Sequence, residues 1–414
     1  MKVGYVTPED LPIPPVRGGS VQIYTHTLLR HFSQANPFAS DEPTIFLISP
    51  DKTRQSGWRQ TYDNGVFHYT IRAAGKQDYQ KQALHVLSQI NPDVIQIDNR
   101  PKFAGFVKQT MKKPTLVHLY SNTFLGPRHI LQNEVKTTLE SLDTVVLISR
   151  YLRNMIVDKY SMKKSHWNAT VIYPGIDTSL FPDSTSVKRD LESFSKEQPL
   201  KVLFVGRVIR QKGVQVLVDA VKRLVNAGYP VELTIVGKTH PWEQQYENQV
   251  KKSAAGYPVT FTGFVAHEEL PLYYSRHHLF VCPSQYREAF GLVNLEAMSS
   301  GLPVIGSRVG GIEEILEKGA GMLVDNPHSA ESFRAAIAYF LQNPHDLHSQ
   351  SFVSRARAGE FSWQSTAHRF KKLYQSLTEP LTEPLTASLT EPLTGGTPSG
   401  VPSQQSSTWR HRSR

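Results

Sequence analysis

The chain repeats one local pattern, in which a short apolar run is followed by a loop and then by an amphipathic stretch of helical period. Such apolar runs predict buried strands, and the stretches between most of them predict helices. In the first series the predicted strands are 2–6, 44–48, 66–71, 94–97, 115–119, 144–148 and 171–173. Strands that are separated by helices predict a parallel sheet with helices on both faces.

The same alternation starts again after a polar linker that ends near residue 198. The second series has predicted strands at 201–205, 231–236, 259–261, 279–282 and 303–307, and helices near 213–227, 242–254, 267–277 and 291–300. Three more helices are predicted near 329–342, 344–360 and 363–377. Two doubly wound domains in tandem leave a cleft between the carboxyl ends of their sheets, where such folds bind ligands. The sequence therefore predicts an α/β protein whose functional site lies between two Rossmann-like halves.

Length and composition are those of a globular protein. A chain of 414 residues is long enough for two domains with separate cores. The one cysteine, Cys282, excludes an intramolecular disulfide framework and fits a reducing compartment. Residues 1–7 have a strand pattern rather than that of a signal peptide, and no apolar run is long enough to span a bilayer. We therefore expect a cytoplasmic protein.

The net charge of +10 is concentrated in the first half of the chain. Residues 1–177 contain 21 lysines and arginines against 14 aspartates and glutamates. This surplus suits an anionic acceptor, a membrane surface or nucleic acid, but also an ordinary solvated surface. Because the charges do not cluster with aromatic residues, no nucleic-acid partner is expected.

The composition changes after residue 377. Residues 378–393 read as four tetrads, T-E-P-L, T-E-P-L, T-A-S-L and T-E-P-L, before a stretch rich in glycine, proline, serine and glutamine. Frequent proline breaks helices, and the polar remainder can bury little surface. We expect residues 378–414 to be a disordered tail, either a dispensable extension or a segment that binds a partner.

The stretch from Glu288 to Glu296 reads E-A-F-G-L-V-N-L-E and follows the predicted strand at 279–282. A helical pattern begins near Phe290, so Glu296 lies about one and a half turns inside the helix. Unpaired N–H groups of Phe290, Gly291 and Leu292 would favour a phosphate there. Two acids beside an anion site suit a ligand with both phosphate and hydroxyl groups, such as a nucleotide sugar. The alternative is that both glutamates are ordinary solvated residues.

Residues 206–213 read G-R-V-I-R-Q-K-G and follow the first strand of the second series. Arg207 and Lys212 would leave that strand at the edge of the cleft, where two cations can hold a diphosphate and stabilise its departure. The alternative is that they are ordinary loop charges. The chain contains no D-x-D and no cluster of histidine, cysteine and acids with ligand spacing, so no essential metal is expected.

Two features of the first half are weaker signals. Gly18 and Gly19 follow the first strand and precede Ser20, which can cap a helix to about residue 34. This layout suits either a phosphate cradle or a loop that contacts an acceptor. His118 lies near the end of the predicted strand 115–119, where its side chain would reach into the cleft. A structural histidine is the alternative.

These motifs occur together in one protein family. In chain order they are Gly18-Gly19, I-Y-P-G-I-D at 172–177, G-R-x4-K-G at 206–213, E-x7-E at 288–296 and G-G-I-E-E at 310–314. Taken together they resemble family 4 retaining glycosyltransferases with the GT-B fold, over residues 1 to about 377. The stretches at 11–24 and 98–101, L-P-I-P-P-V-R-G-G-S-V-Q-I-Y and D-N-R-P, further resemble the branch typified by the bacterial spore coat protein SA.

The resemblance implies roles for the matching residues. The residues expected at the chemistry are Glu288 and His118 at the transferred sugar, and Arg207 and Lys212 at the donor diphosphate. The wider set expected to bind the donor comprises Gly18, Gly19, Gly206, Arg207, Lys212, Phe290, Gly291, Leu292 and Glu296, the last at the ribose hydroxyls. Pro174 stands where many relatives have asparagine, so no role is carried over to it.

The resemblance also implies a domain organisation. Residues 1–177 would form an acceptor-side Rossmann-like domain, completed by a helix at 363–377 that crosses back onto it. Residues 178–362 would form the domain that binds the nucleotide sugar, and residues 378–414 the tail.

The expected function is metal-independent transfer of a sugar from a nucleotide-diphosphate donor, without a cofactor and with the anomeric configuration retained. The acceptor, whether glycan, lipid or small molecule, is left open, as is peripheral association with a membrane or spore coat. The rival hypotheses are a glycan phosphorylase, which would need pyridoxal phosphate, and a catalytically inactive scaffold or spore coat component that kept the fold.

Overall fold

The computed structural model describes residues 1–15, 19–33, 42–51, 59–63, 66–163, 167–181, 183 and 193–379. Gly18 and the predicted tail from residue 380 onward lie outside this set, so the structure does not test the predictions made for them.

The first half of the chain forms an eight-stranded sheet with the order β3-β4-β2-β1-β5-β6-β7-β8. Its strands are β1 (Lys2–Val6), β2 (Thr44–Pro50), β3 (Arg59–Asp63), β4 (Val66–Ile71), β5 (Val94–Asp98), β6 (Thr115–Leu119), β7 (Thr144–Leu147) and β8 (Ala169–Val171). The helices between them are α1 (Ser20–Ser33), α2 (Lys76–Ile90), α3 (Pro101–Met111), α4 (Val135–Glu140) and α5 (Arg150–Tyr160). All strand pairs are parallel except β3 with β4, which are antiparallel.

The second half forms a six-stranded parallel sheet with the order β11-β10-β9-β12-β13-β14. Its strands are β9 (Leu200–Val205), β10 (Val231–Val236), β11 (Val259–Gly263), β12 (Leu279–Cys282), β13 (Val304–Ser307) and β14 (Met322–Val324). The helices are α6 (Val214–Asn226), α7 (Gln244–Ala254), α8 (Leu270–Arg276), α9 (Leu292–Ser299), α10 (Ile312–Leu316), α11 (Ala330–Gln342), α12 (Pro344–Gly359) and α13 (Trp363–Thr378).

The predicted α/β architecture is confirmed, because both sheets are built from strands that alternate with helices and belong to the same compact unit. The central strands β5, β6 and β7 are buried along their whole length. Helices that cover both faces of a parallel sheet explain why these strands read as continuous apolar runs. The sequence patterns did not predict β3, β14 or α10.

The last helix, α13, packs against α1 and β5 of the first sheet although it follows the second sheet in the chain. The Tyr374 hydroxyl at its C-terminal end donates a hydrogen bond to Oε1 of Gln96, at 2.7 Å, in β5. At its start, the Trp363 indole packs edge-to-face on Tyr24 of α1, with ring centroids 4.9 Å apart. The chain therefore passes twice between the two sheets.

The two passages lie side by side. The Ile176 N–H donates to the Phe361 carbonyl at 2.7 Å, and Ile176 forms a parallel bridge with Ser362. A Cβ atom at Gly175 would overlap the backbone of Trp363, so only glycine allows this approach. This contact is made by the I-Y-P-G-I-D motif.

The domain boundaries at 177/178 and 362/363 stay predictions.

Candidate active site

The loop after β9 brings two cations to the carboxyl edge of the second sheet. Arg207 is exposed, and its Nη1 lies 3.1 Å from Nε2 of His240. Lys212 ends a single 3₁₀ turn, and Gly213 then starts α6 with a φ of +69°. Both cations therefore leave the end of one parallel strand, where ligand sites of such sheets lie.

Lys212 and Glu288 form an ion pair, which joins the two motifs predicted to share a site. Oε1 of Glu288 also accepts a hydrogen bond from the Ser284 hydroxyl at 2.9 Å. The backbone holds the two loops together as well, because the Gln285 N–H donates to the Gln211 carbonyl at 2.8 Å. Side-chain and backbone contacts thus hold Glu288 and Lys212 together.

The helix start after Glu288 leaves three backbone donors unused. Gly291 has a φ of +102° and precedes the first residue of α9, Leu292. Within the described ranges, the N–H groups of Phe290, Gly291 and Leu292 have no hydrogen-bond acceptor. Unpaired N–H groups at a helix start favour an anion. The Phe290 ring is buried and stacks on Tyr173, with centroids 5.7 Å apart, so the phenylalanine contributes backbone rather than side chain to this site.

Glu296 is buried inside the second domain. Its Oε2 accepts from the Tyr274 hydroxyl at 2.8 Å, and its Oε1 lies 3.1 Å from Nε2 of His267. The hydrogen bond with Glu296 raises the pKa of His267. The two glutamates of the motif therefore have different surroundings, since Glu288 contacts the cation loop and Glu296 contacts the region of α8.

A cleft of about 1500 Å³ lies between the two sheets and contains Arg207, Lys212 and Glu288 in its wall. The wall on the side of the first sheet includes Ser20, Tyr120, Ser121, Asn122, Thr123, Tyr151, Asn154 and Met155. The wall on the side of the second sheet includes Ile209, Gln211, His240, Trp242, Gln285, Tyr286, Arg287 and Ala289. Its volume exceeds the roughly 300–1,000 Å³ of typical small-molecule sites, which leaves room for two substrates.

The prediction that His118 reaches into the cleft is not supported. Its ring is fully buried between the first sheet and α13, with Phe370, Tyr24 and Tyr120 around it. Burial lowers the pKa of His118 to about 3. The strand β6 is covered on both faces, so a side chain near its end still points into the core.

Gly19 and Gly206 also lie outside the cleft wall, as do Phe290, Gly291, Leu292 and Glu296. Gly19 has a φ of +106°, and a Cβ atom there would meet the side chains of Gln22 and Leu11. Gly206 has a φ of +153° and donates its N–H to the Val236 carbonyl at 2.9 Å. Both glycines therefore shape the loops beside the site through their backbone.

The structure adds cleft residues that the sequence patterns did not single out. Tyr120 follows β6 directly, and its hydroxyl donates to Oδ2 of the buried Asp98 at 3.0 Å. Trp242 is 76% exposed, and its ring stacks in parallel on His240 with centroids 4.4 Å apart. Tyr120 lies where a strand ends at the predicted cleft, which is the one signal that could have identified it.

Tyr151 and Arg287 line the cleft from opposite domains. Burial raises the pKa of Tyr151, and the positive charge of Arg287 opposes that rise. Arg287 directly precedes Glu288 in the chain, so this charge acts between the acidic motif and α5.

In the part of the chain that the structure describes, no helix combines the length and the apolar character needed to cross a membrane. No group of three or more histidine, cysteine, aspartate or glutamate side chains there is arranged to hold a metal ion.

Comparison with known proteins agrees with this architecture. Residues 188–358 match the family described as Glycosyl transferases group 1. Spore coat protein SA from Bacillus subtilis is 26% identical over 388 residues, which covers 91% of this chain and 99% of that protein.

Solved structures show the same fold. Sucrose-phosphate synthase from Thermosynechococcus elongatus has a TM-score of 0.71 and 22% identity, with 91% of this chain and 98% of that one covered. HepE from Anabaena, solved in complex with UDP, has a TM-score of 0.67 and 18% identity, with 91% and 100% covered. The family match in the second domain and the relative that spans almost the whole chain show that this protein resembles the GT-B glycosyltransferases of group 1, in the branch of spore coat protein SA.

Proposed function

We propose that the protein transfers a sugar from a nucleotide-diphosphate donor to an acceptor hydroxyl, with retention of the anomeric configuration and without a metal ion. The observation that carries this proposal is the ion pair of Lys212 and Glu288 in the wall of a cleft between two Rossmann-like domains. A cation and an acid in contact suit the two halves of a nucleotide sugar, whose diphosphate is anionic and whose anomeric carbon becomes positive in the transition state.

The diphosphate would bind between the cation loop and the start of α9. Arg207 and Lys212 would contact its oxygens, and the free N–H groups of Gly291 and Leu292 would supply further hydrogen bonds. As the bond between the anomeric carbon and the diphosphate breaks, negative charge grows on the departing oxygen. Fixed cations and backbone dipoles stabilise that charge more in the transition state than in the ground state. This is the role that a metal ion plays in other enzymes.

Glu288 would orient the sugar and stabilise the positive charge that develops on it. The acceptor hydroxyl would attack the anomeric carbon from the face that the diphosphate leaves, and its proton would pass to a departing phosphate oxygen. Glu296 would hold the ribose hydroxyls. Since Glu296 is buried against Tyr274 and His267, we expect the ribose to approach from the α8 side. We do not extend a catalytic role to His118, because its ring is enclosed in the core.

The location of the protein stays a prediction. The expectation of a cytoplasmic enzyme rests on the single cysteine, Cys282, which cannot form an intramolecular disulfide.

Thermal unfolding with a panel of UDP, GDP and ADP compounds tests the proposal. A ligand that binds only the native state stabilises it by about 2.7 kcal/mol at 100 times its Kd. This stabilisation raises the melting temperature. We expect one nucleotide to stabilise the wild type and to stabilise Lys212→Ala much less. Lys222→Ala is the matched control, because Lys222 pairs with Asp219 within α6 and lies outside the cleft wall.

The inactive scaffold makes the opposite prediction. A protein that kept the fold without the activity would show no heat on calorimetric titration with any nucleotide diphosphate and no transfer from any nucleotide sugar. Either a binding heat that Lys212→Ala removes or sugar transfer by the wild type excludes it.

A further inference from the structure

The carboxylate of Glu314 belongs to the second domain, yet the groups that contact its two oxygens come from the first. Its Oε2 accepts from the Arg150 N–H at 2.9 Å and from the Tyr173 hydroxyl at 2.7 Å, and its Oε1 accepts from the Tyr151 N–H at 2.6 Å. The Arg150 guanidinium adds an ion pair at 3.3 Å. Glu314 is only 5% exposed, so these contacts replace water almost completely.

These contacts cap a helix of one domain with an acid of the other. The first N–H groups of a helix have no partner within it, and an acid there is favourable. In α5, two of these groups, from Arg150 and Tyr151, donate to Glu314. A third, from Leu152, donates to the Ser149 hydroxyl at 3.0 Å. Two of these three N–H groups thus have a protein acceptor only when the two domains are docked.

The same helix start holds the loop that carries Glu288. The Ser149 hydroxyl donates to the carbonyl of Ala289 at 2.6 Å. The same loop contacts a glycine pair: the Gly311 N–H donates to the Glu288 carbonyl at 2.8 Å, and a Cβ atom at Gly310 would overlap the Glu288 backbone. The loop of Glu288 and Ala289 therefore contacts both this glycine pair, which precedes Glu314, and the start of α5.

We propose that Glu314 is a positioning residue that sets the second domain against the first, and thereby places Glu288 opposite the acceptor side of the cleft. Tyr173 belongs to this junction too, because its hydroxyl bonds Glu314 while its ring stacks on Phe290. The motifs I-Y-P-G-I-D and G-G-I-E-E, to which no catalytic role is assigned above, would then meet at one junction between the domains. In its catalytic part this inference rests on the proposed function.

The kinetic test compares Glu314→Gln and Glu314→Ala with the wild type, using the nucleotide sugar that the thermal panel identifies. A reacting group misplaced by about 1 Å can cost ~10²-fold in rate, so we expect Glu314→Ala to lower kcat by that order. The KM for the donor should change less than about threefold, because the groups that bind the diphosphate lie within the second domain. Glu314→Gln keeps an acceptor oxygen and should retain an intermediate kcat. An equal change in kcat and KM, or none, would overturn the proposal.

The matched control is Glu331→Ala. Glu331 is also an acid near the start of a helix in the second domain, but it pairs with Arg334 and Arg223 of the same domain. We expect its kcat to equal that of the wild type.

A second measurement does not depend on activity. Small-angle X-ray scattering of the full chain should show a larger radius of gyration for Glu314→Ala than for the wild type and Glu331→Ala, since the tail is common to all three. If Glu314→Ala fails to fold, Tyr173→Phe removes one donor to the same carboxylate and should also increase the radius of gyration. An unchanged radius of gyration would refute the role of Glu314 in docking the two domains, even if kcat fell. If the wild type transfers no sugar from any donor, the proposed function fails, and the scattering still decides the role of Glu314.

Discussion

Gly213 lies directly against the carbonyl oxygen of Pro283, and this approach brings the cation loop and the acidic loop together. A Cβ atom at Gly213 would overlap that carbonyl, and its φ of +69° is one that other residues rarely adopt. The neighbouring residue on one side is Lys212, and Glu288 follows Pro283 by one short loop. The contact between two backbones therefore sets the distance between the two charges.

Gly213→Ala should separate these loops. The positive φ alone costs about 1–2 kcal/mol for a residue with a Cβ atom, and the overlap with Pro283 should add about 1–3 kcal/mol. Gly228→Ala is the matched control, because Gly228 has a φ of +84° with no atom near its missing Cβ. Urea unfolding and nucleotide titration of both variants measure the difference. Equal losses of stability and equal nucleotide affinity would show that the close approach to Pro283 is unimportant.

Lys212→Ala and Glu288→Gln should each reduce turnover by ~10²-fold or more, the scale of losing one preorganised electrostatic contact. Both residues are mostly shielded from solvent, with 22% and 14% of their side chains exposed, so water cannot replace the lost group effectively. Steady-state rates of sugar transfer, measured on variants with wild-type melting temperatures, provide the test. Normal turnover by either folded variant would contradict the assignment.

Glu296→Gln should weaken donor binding about tenfold, which corresponds to about 1.4 kcal/mol for a hydrogen bond to a charged acceptor. The loss should be the same with any acceptor, because the ribose belongs to the donor. Glu268→Gln removes a charge from an exposed residue next to His267 and is the control. Calorimetric titration with the nucleotide diphosphate measures both affinities. Unchanged affinity of Glu296→Gln would remove Glu296 from the donor site.

Much of the fold could be predicted because its strands are covered on both faces by helices. A strand such as β6, buried at every position, must be apolar throughout, and this makes it visible in the sequence. The edge strand β3 reads R-Q-T-Y-D and lacks such a run. The helix α10 has five residues, too few to show a helical period.

The part of the site that the sequence patterns located is held by local backbone geometry. Lys212 and Glu288 each follow the carboxyl end of a parallel strand, β9 or β12, and these strands are neighbours in the sheet. The partners of Glu314 could not be predicted in this way. They lie about 140 to 165 residues away in the chain and meet it only when the domains dock.

Removal of divalent metal with an excess of EDTA should leave donor binding and transfer unchanged. Arg207 and Lys212 would supply the charge that stabilises the leaving diphosphate, so a metal would be redundant at this site. Initial rates in EDTA, compared with rates in added magnesium or manganese, check this expectation. A rate that EDTA abolishes and either metal restores would show that the two cations are insufficient.

His118→Phe should change the acid sensitivity of folding rather than the rate of transfer. Because burial lowers the pKa of His118 to about 3, the unfolded chain binds a proton below pH ~6.5 that the folded protein does not. The folded state should therefore lose about 2 kcal/mol from this group as the pH falls from 7 to 5.

Asp98 acts in the opposite direction over the same interval. Its Oδ1 lies 3.9 Å from Nδ1 of His118, and burial raises the pKa of Asp98 to about 6. The stability that this carboxyl contributes is present below pH ~4 and is lost as the pH rises through about 6. In the wild type, the contributions of His118 and Asp98 to the change in stability between pH 7 and pH 5 thus largely cancel. Only a comparison of variants separates the two contributions.

Urea unfolding of the wild type and His118→Phe at pH 7 and pH 5 makes that comparison. The variant removes the histidine and keeps the aromatic contacts with Tyr24, Tyr120 and Phe370. Its stability relative to the wild type should rise by about 2 kcal/mol at the lower pH, while kcat at neutral pH should stay within about threefold. A large loss of kcat with an unchanged pH profile of stability would instead return His118 to the chemistry of sugar transfer, since a buried structural ring cannot produce that pair of results.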